Sequence, residues 1–134
     1  MINFKNKKVL ITGATGGIGN ALIKKFLSLD AIVLATGTND EKLNKLKSDF
    51  PNINTLRFDI SDHSKIEEFI ENVSSKLTGL DILINNAGIT KDNLSLRMKN
   101  DEWQKVIDIN LSSTFYLCKY GIKKMLKNKY GRVV

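Results

Sequence analysis

The sequence has one cysteine, one proline and one histidine among its 134 residues. Because Cys118 has no partner cysteine, a disulfide-stapled secreted domain is excluded, and a small reduced thiol buried in a helix is expected. The lone histidine, His63, has no neighbour at metal-ligand or catalytic-triad spacing, so we expect no metal site and place His63 at a surface helix start.

Long apolar runs are also missing. No stretch approaches the length of a membrane-spanning helix, and Val9-Leu10-Ile11 after the basic N-terminus is too short for a signal peptide. We therefore expect no membrane association and a cytoplasmic location. Low-complexity segments, linkers and repeats are absent as well. With 42% hydrophobic and 26% charged residues, the chain has the composition of one folded domain spanning residues 1–134.

The net charge of +7 is compatible with an acidic partner such as nucleic acid. Most of the cations are lysines, however, and no arginine cluster with interleaved aromatic residues accompanies them. A solvated basic surface is the preferred interpretation, and no nucleic-acid partner is expected.

Short aliphatic runs alternate with amphipathic helical patterns along the whole chain. Such alternation predicts an α/β fold, a doubly wound parallel sheet of the Rossmann type, with its ligand site at the carboxyl ends of the strands. The apolar stripe of the first helix is expected at Ile18, Leu22, Phe26 and Leu29, and Ser64 with Glu67 has capping-box spacing. The predicted strands cover 8–12, 31–35, 54–58, 80–84 and 131–134, and the predicted helices 17–29, 40–49, 62–77 and 101–127.

A glycine-rich loop leaves the first strand and opens the first helix. Glycines permit a tight turn and a close approach of the backbone to a pyrophosphate, and a helix N-terminus offers free N–H groups to phosphates. The loop is therefore predicted to bind a dinucleotide through Gly13, Ala14, Thr15, Gly16, Gly17, Ile18 and Gly19.

The loop spacing, Gly13-x-x-x-Gly17-x-Gly19, resembles that of the short-chain dehydrogenase/reductase family. Asp59 after the third strand, Asn85-Asn86-Ala87-Gly88 after the fourth, and Asn110 on the long helix follow in the order typical of that family. The resemblance implies that Asp59 and Ile60 contact the adenine. It also implies that Asn86, Ala87 and Gly88 lie beside the nicotinamide ribose, and that Asn110 is catalytic, holding a water in a proton relay. From the residues alone, the alternative is that Asn110 is a structural, helix-kinking asparagine with buried amide partners.

The segments 87–94, 97–99 and 110–115, together with Trp103, are similar in particular to the 3-oxoacyl-acyl carrier protein reductases. This resemblance implies NADPH-dependent reduction of a 3-oxoacyl thioester in fatty acid biosynthesis, by a homotetramer. The family's catalytic serine and Tyr-x-x-x-Lys motif follow the fifth strand, where a full-length protein would carry them, so this chain is expected to be inactive alone. Tyr120 and Lys124 match the motif spacing by coincidence on an exposed helix face.

The cofactor is predicted to be NADP. An acid at the end of the second strand would repel a 2′-phosphate, and none is present before Asp40. Thr15 and Thr38 offer hydroxyl donors to such a phosphate. The arginine that NADP-dependent members carry is replaced here by Gly16, which leaves Lys42 or another lysine to supply the charge.

Three other functions stay open at this point. The substrate is alternatively another ketone, an acyl-CoA or an alcohol, since the substrate loop would lie downstream. The chain is alternatively a noncatalytic remnant, or a nucleic-acid-binding protein that uses its charge. For the leading hypothesis, Lys129 and Arg132 are expected near the site mouth, where they would either complement an acidic carrier protein or form part of a solvated loop.

Overall fold

A computed structural model describes residues 3–134, and its centre is one parallel sheet of five strands in the order β3-β2-β1-β4-β5. The strands are β1 Lys8–Ile11, β2 Ile32–Gly37, β3 Asn54–Arg57, β4 Ile82–Ile84 and β5 Arg132–Val133. The helices are α1 Gly17–Leu27, α2 Asp40–Asp49, α3 Ile66–Leu77, α4 Asn100–Ile107 and α5 Ser113–Lys127.

The strand order confirms the predicted doubly wound fold. From β1 the chain builds outward to β2 and β3, then returns to the other side of β1 with β4 and β5. The point where the direction reverses lies between β1 and β4, which pair with Val9 opposite Ile82 and Ile11 opposite Ile84. Ligands of open α/β sheets bind at such a point, beyond the carboxyl ends of the strands.

The two faces of the sheet bury two separate apolar clusters. Successive side chains of a strand point to opposite faces, so Val9 and Ile11 pack with α1 and α2, whereas Leu10 packs with α3 and α5. All three are fully buried. Because both faces of β1 are covered, its sequence is a continuous aliphatic run, as is typical of a parallel strand.

Two local predictions about helices are wrong. Ile18 is 71% exposed, because it lies in the first turn of α1 at the carboxyl edge of the sheet, and the large side chain that α1 buries fully is Ile23. Ser64 caps no helix, since its hydroxyl donates to Asp62 Oδ1 at 2.7 Å. Instead, a 3₁₀ turn over His63–Lys65 leads into α3.

The long helix predicted over 101–127 is interrupted at its centre. A π-helical turn spanning Asp108–Ser112 separates α4 from α5. A π turn inserts one extra residue and is frequent at functional sites. Asn110 lies in the middle of this turn.

Tyr120 and Lys124 lie on the side of α5 that packs against the rest of the protein, so the expectation of an exposed helix face is wrong. The Lys124 side chain is 12% exposed and forms an ion pair with Glu71 on α3, and Tyr120 packs partly buried against the core. Cys118, expected to be buried, is only partly so. Within residues 3–134, no helix is long and apolar enough to cross a membrane.

Candidate functional site

A cleft of about 190 Å³ lies at the carboxyl ends of the central strands. Its floor is made by the loop after β1, and its walls by the segments that follow β2, β3 and β4. The lining residues are Gly13, Thr15, Thr36, Gly37, Thr38, Phe58, Asp59, Ile60, Ala87, Gly88, Ile89 and Ile109. This is the edge of the sheet that the sequence predicts for the ligand site.

Two glycines of the loop are required by the protein's own packing. Gly13 has φ of 58°, and a Cβ there would stand 2.7 Å from Ala87 Cα. A Cβ on Gly19 would stand 2.6 Å from Ala14 Cα. Any side chain at either position would therefore collide with backbone, and at Gly13 it would also strain the chain.

The other two glycines face open space. A Cβ on Gly17 would meet nothing within 4 Å, and one on Gly16 would come no closer than 3.7 Å, to the Gly13 carbonyl oxygen. Gly16 caps α1 without a side-chain hydrogen bond, so no side chain satisfies the N–H groups of the first turn. The absence of side chains here keeps the positive end of α1 accessible to an anion, as a phosphate would need.

A hydrogen-bonded tie joins the loop after β1 to the loop after β4. Thr12 is buried, its hydroxyl donates to the Ile84 carbonyl, and it accepts the N–H groups of Asn86 and Ala87 at 3.1 Å each. In return, the Asn86 amide donates to the carbonyl oxygens of Thr12 and Gly13 at 3.1 and 3.0 Å. The Asn86 donor is thus occupied by the protein, which the sequence did not indicate.

Asp59 presents an ionised carboxylate to the cleft. Hydrogen bonds from the Ser61 hydroxyl (2.7 Å) and the Ser61 N–H (2.9 Å) hold the pKa of Asp59 below its ordinary value. The charges of Lys105 and Arg57 act in the same direction more weakly, and partial burial opposes them. Asp59 is consequently an acceptor at neutral pH.

Arg57 provides a cation at the rim that sequence reasoning missed. Its Nε donates to the Thr38 carbonyl at 3.0 Å and lies 3.5 Å from Asp40 Oδ2. Since β3 pairs with β2 so that Arg57 lies opposite Gly37, the guanidinium sits beside the end of β2. The pairing register was the only signal that could have revealed this contact, because the two segments are far apart in sequence.

Asn110 is exposed in this chain, and both ends of its side-chain amide are hydrogen bonded. Its Oδ1 accepts the N–H of Ile89 and its Nδ2 donates to the carbonyl of Ile89, each at 2.8 Å. The partners expected for its amide are therefore present, although the burial is not. Next to this pair, a Cβ on Gly88 would stand 3.3 Å from Asn110 Oδ1.

The predicted ligand residues divide into two sets. Gly13, Thr15, Thr38, Asp59, Ile60, Ala87 and Gly88 line the cleft, whereas Ala14, Gly16, Gly17, Ile18, Gly19, Asn86 and Asn110 lie around it. Residues 3–134 contain no group of three or more metal-ligating side chains of the histidine, cysteine, aspartate and glutamate types.

The expectation that Lys129 and Arg132 border the site mouth is wrong. Arg132 begins β5 and pairs with Ile82 at the start of β4, so it lies at the amino edge of the sheet. There its guanidinium stands 5.1 Å from the ring of Tyr130, whose other neighbour is Lys7. The cleft is at the opposite edge, because parallel strands share one direction.

The sequence matches a known family over nearly the whole chain. The family model described as short chain dehydrogenase matches residues 7–134, and the chain belongs to this family. Among curated proteins, it is similar to the 3-oxoacyl-[acyl-carrier-protein] reductases FabG of Rickettsia bellii (42% identical) and Rickettsia felis (44%). The alignments cover 100% of this chain and 54% of each relative.

The Escherichia coli reductase FabG is 38% identical over 99% of this chain and 55% of its own length. The chain therefore spans about half the length of the curated relatives that it matches. The resemblance inferred from the motifs, to the N-terminal part of these reductases, is confirmed.

Proposed function

We propose that residues 1–134 are the dinucleotide-binding part of a single Rossmann domain and that the cleft holds NADP. The observation that carries this proposal is the open N-terminus of α1, where Gly16 and Gly17 leave room for a ligand that the packing does not require. A phosphate-bearing group fits this end by charge and by space. Gly13, Ala14, Thr15, Ile18 and Gly19 complete the proposed phosphate loop.

Around the rest of the cleft, the proposed contacts follow the strand ends. The ionised Asp59 would accept from the adenine amino group, Ile60 would lie against the adenine, and Asn86, Ala87 and Gly88 would lie beside the nicotinamide ribose. The donor groups of Asn86 are occupied by Thr12 and Gly13, so its contribution to a ligand is limited to its carbonyl oxygen and backbone. When bound, a reduced nicotinamide supplies hydride.

The preference for NADP is supported by the rim of the cleft. Thr15 and Thr38 provide hydroxyl groups, and Arg57, anchored on the Thr38 carbonyl, provides the charge that a 2′-phosphate requires. The family arginine that is missing at Gly16 thus has a functional substitute on β3. Asp40 opposes this effect from the far side of Arg57, since its carboxylate competes for the guanidinium.

We propose that the protein takes part in reduction of a 3-oxoacyl thioester on acyl carrier protein to the 3-hydroxyacyl thioester, in fatty acid biosynthesis. Its similarity to three curated reductases with that printed name supports the proposal. Asn110 is the proposed catalytic residue within this chain. Because its amide is fixed on Ile89, it would hold a relay water with its remaining oxygen lone pair or its main chain, rather than swing toward a ligand.

The proposal also includes a homo-oligomer, with a tetramer as the expected form, and a cytoplasmic location. In support of the oligomer, α4, the π turn and α5 expose several large apolar side chains that a neighbouring subunit would cover. They are Trp103, Leu111, Phe115, Ile122 and Leu126, each 44–69% exposed.

A single preparation tests the function. The native protein, purified from its source cells, would be assayed for oxidation of NADPH with a 3-oxoacyl thioester of acyl carrier protein, and with the coenzyme A thioester as comparison. Reduction that prefers the carrier-protein thioester supports the proposal. Binding of NADPH without turnover would instead establish the noncatalytic alternative.

A further inference from the structure

His63 contacts both ends of the π turn. Its Nε2 lies 3.1 Å from the Asp108 carbonyl oxygen and 3.1 Å from Ser113 Oγ. His63 comes from the 3₁₀ turn before α3, whereas Asp108 and Ser113 bound the π turn, so these contacts join two separate elements. The sequence indicated only a surface residue at a helix start.

Ser113 extends the contact into the interior. It is fully buried, and its hydroxyl lies 2.7 Å from the Ile60 carbonyl and 2.8 Å from the Asp108 carbonyl. A hydroxyl has one proton, so it can donate to only one of these carbonyls at a time. One arrangement satisfies all four groups: Ser113 donates to Ile60, and His63 Nε2–H is shared between Ser113 Oγ and the Asp108 oxygen.

This arrangement stabilises the unusual backbone hydrogen bond of the π turn. The Ser113 N–H reaches back five residues to Asp108 in place of the usual four, and this geometry survives only where the surroundings fix it. The Asp108 oxygen receives a second donor from His63, which an uninterrupted α-helix would not need. Beside it, the Tyr116 ring lies 5.1 Å from the imidazole and limits its movement.

The middle of the same turn carries the pair between Asn110 and Ile89. A one-residue return to α-helical register would rotate Asn110 by about 100° around the helix axis and separate it from Ile89. We infer that His63 is a positioning residue: together with Ser113, it fixes the π turn in the register that holds Asn110 against Ile89. Its consequence for catalysis rests on the proposed function, whereas its effect on the turn does not.

Hydrogen exchange of backbone amides, followed by NMR on the chain of 134 residues, tests the inference at Ile89, whose N–H donates to Asn110. His63→Phe keeps a ring and removes the donor. We expect the Ile89 amide to exchange about tenfold faster, with the strand amide of Leu10 unchanged. His63→Gln, whose Nε2 replaces the imidazole donor, should restore most of the protection.

Ser64→Ala is the matched control, because Ser64 belongs to the same 3₁₀ turn and bonds only to Asp62. If His63→Phe does not fold, Ser113→Ala tests the same link and should also expose Ile89. Unchanged exchange at Ile89, an equal acceleration at Leu10, or failure of His63→Gln to restore protection would each overturn the inference.

The native enzyme separates this inference from the proposed function. With His63→Phe, kcat is expected to fall about tenfold while KM for NADPH stays nearly constant. Faster exchange at Ile89 with an unchanged kcat would uphold the positioning of the turn and refute the catalytic role of Asn110.

Discussion

Asn110 and Ile89, 21 residues apart in the sequence, exchange two hydrogen bonds of 2.8 Å through the asparagine amide and the isoleucine peptide group. A side-chain amide that pairs with both groups of one peptide fixes the loop after β4 against the helix. The asparagine is therefore matched in shape to this task, since neither aspartate nor alanine offers both a donor and an acceptor.

Replacing Asn110 by alanine removes both bonds at once. We expect turnover of the native enzyme to fall at least about tenfold, with NADPH affinity nearly unchanged, since Asn110 does not line the cleft. Steady-state kinetics together with calorimetric titration measures the two quantities. Asn44→Ala, on the exposed surface of α2, is the control; an unaltered rate for Asn110→Ala would refute the relay role.

Two glycine variants should separate folding from ligand binding. Gly13→Ala would place a Cβ 2.7 Å from Ala87 Cα at a φ of 58°, so we expect a loss of about 2 kcal/mol or more in the free energy of unfolding. Gly17→Ala meets no protein atom and should leave stability unchanged or slightly raised. Thermal unfolding measures both variants.

The same Gly17→Ala variant should nevertheless bind NADPH at least about tenfold more weakly, because its methyl group would occupy the space at the α1 N-terminus. Fluorescence titration of NADPH measures this. Wild-type affinity in Gly17→Ala would show that the ligand lies elsewhere.

Cofactor preference should depend on Arg57. Arg57→Gln is expected to weaken NADPH binding about tenfold and to leave NADH binding unchanged, since only NADPH has the 2′-phosphate. Asp40→Asn should act in the opposite direction, because it frees the guanidinium from its 3.5 Å ion pair. Lys42→Gln is the comparison for the cation that the sequence had suggested; a larger effect there than at Arg57 contradicts the assignment.

The ionisation of Asp59 should depend on Ser61. Ser61→Ala removes the stronger of the two hydrogen bonds, so the pKa of Asp59 is expected to rise toward its ordinary value. The lowered pKa of Asp59 contributes stability that is fully present at a pH above its ordinary pKa. That contribution is lost as the pH falls through the pKa of Asp59 in the folded protein, so the variant should lose it at a higher pH than the wild type. Carboxyl NMR titration measures the shift, and Ser64→Ala is the control. An identical Asp59 titration in both variants would contradict the proposed cause.

The sequence predicted the sheet well because its strands are buried on both sides. Each is an aliphatic run, as at Val9-Leu10-Ile11, and in a chain of this size such a run is buried most readily as a central strand of a parallel sheet. The positive-φ turn at Gly13 and the ligand edge followed from glycine chemistry and strand direction. These features depend on residues close together in the chain, so short sequence patterns are enough to predict them.

What escaped prediction depends on contacts between distant segments. The π turn has no local signature, because its extra residue is fixed by His63 and Ile89, which lie on other elements. Strand pairing places Arg57 at the rim of the cleft and Arg132 at the amino edge of the sheet, away from the cleft. In each case the position along the chain was correct and the neighbour in space was unknown.

The hydrogen bonds between Thr12 and Asn86 mean that the two loops that flank the switch point must be transferred together between related proteins. Four hydrogen bonds to Thr12 or Gly13 cross from one loop to the other. A chimera that imports the glycine loop of a relative while keeping the host loop after β4 must still satisfy this network. Recombination within such a family should therefore succeed when both loops come from one parent, although 72 residues separate Thr12 from Ile84.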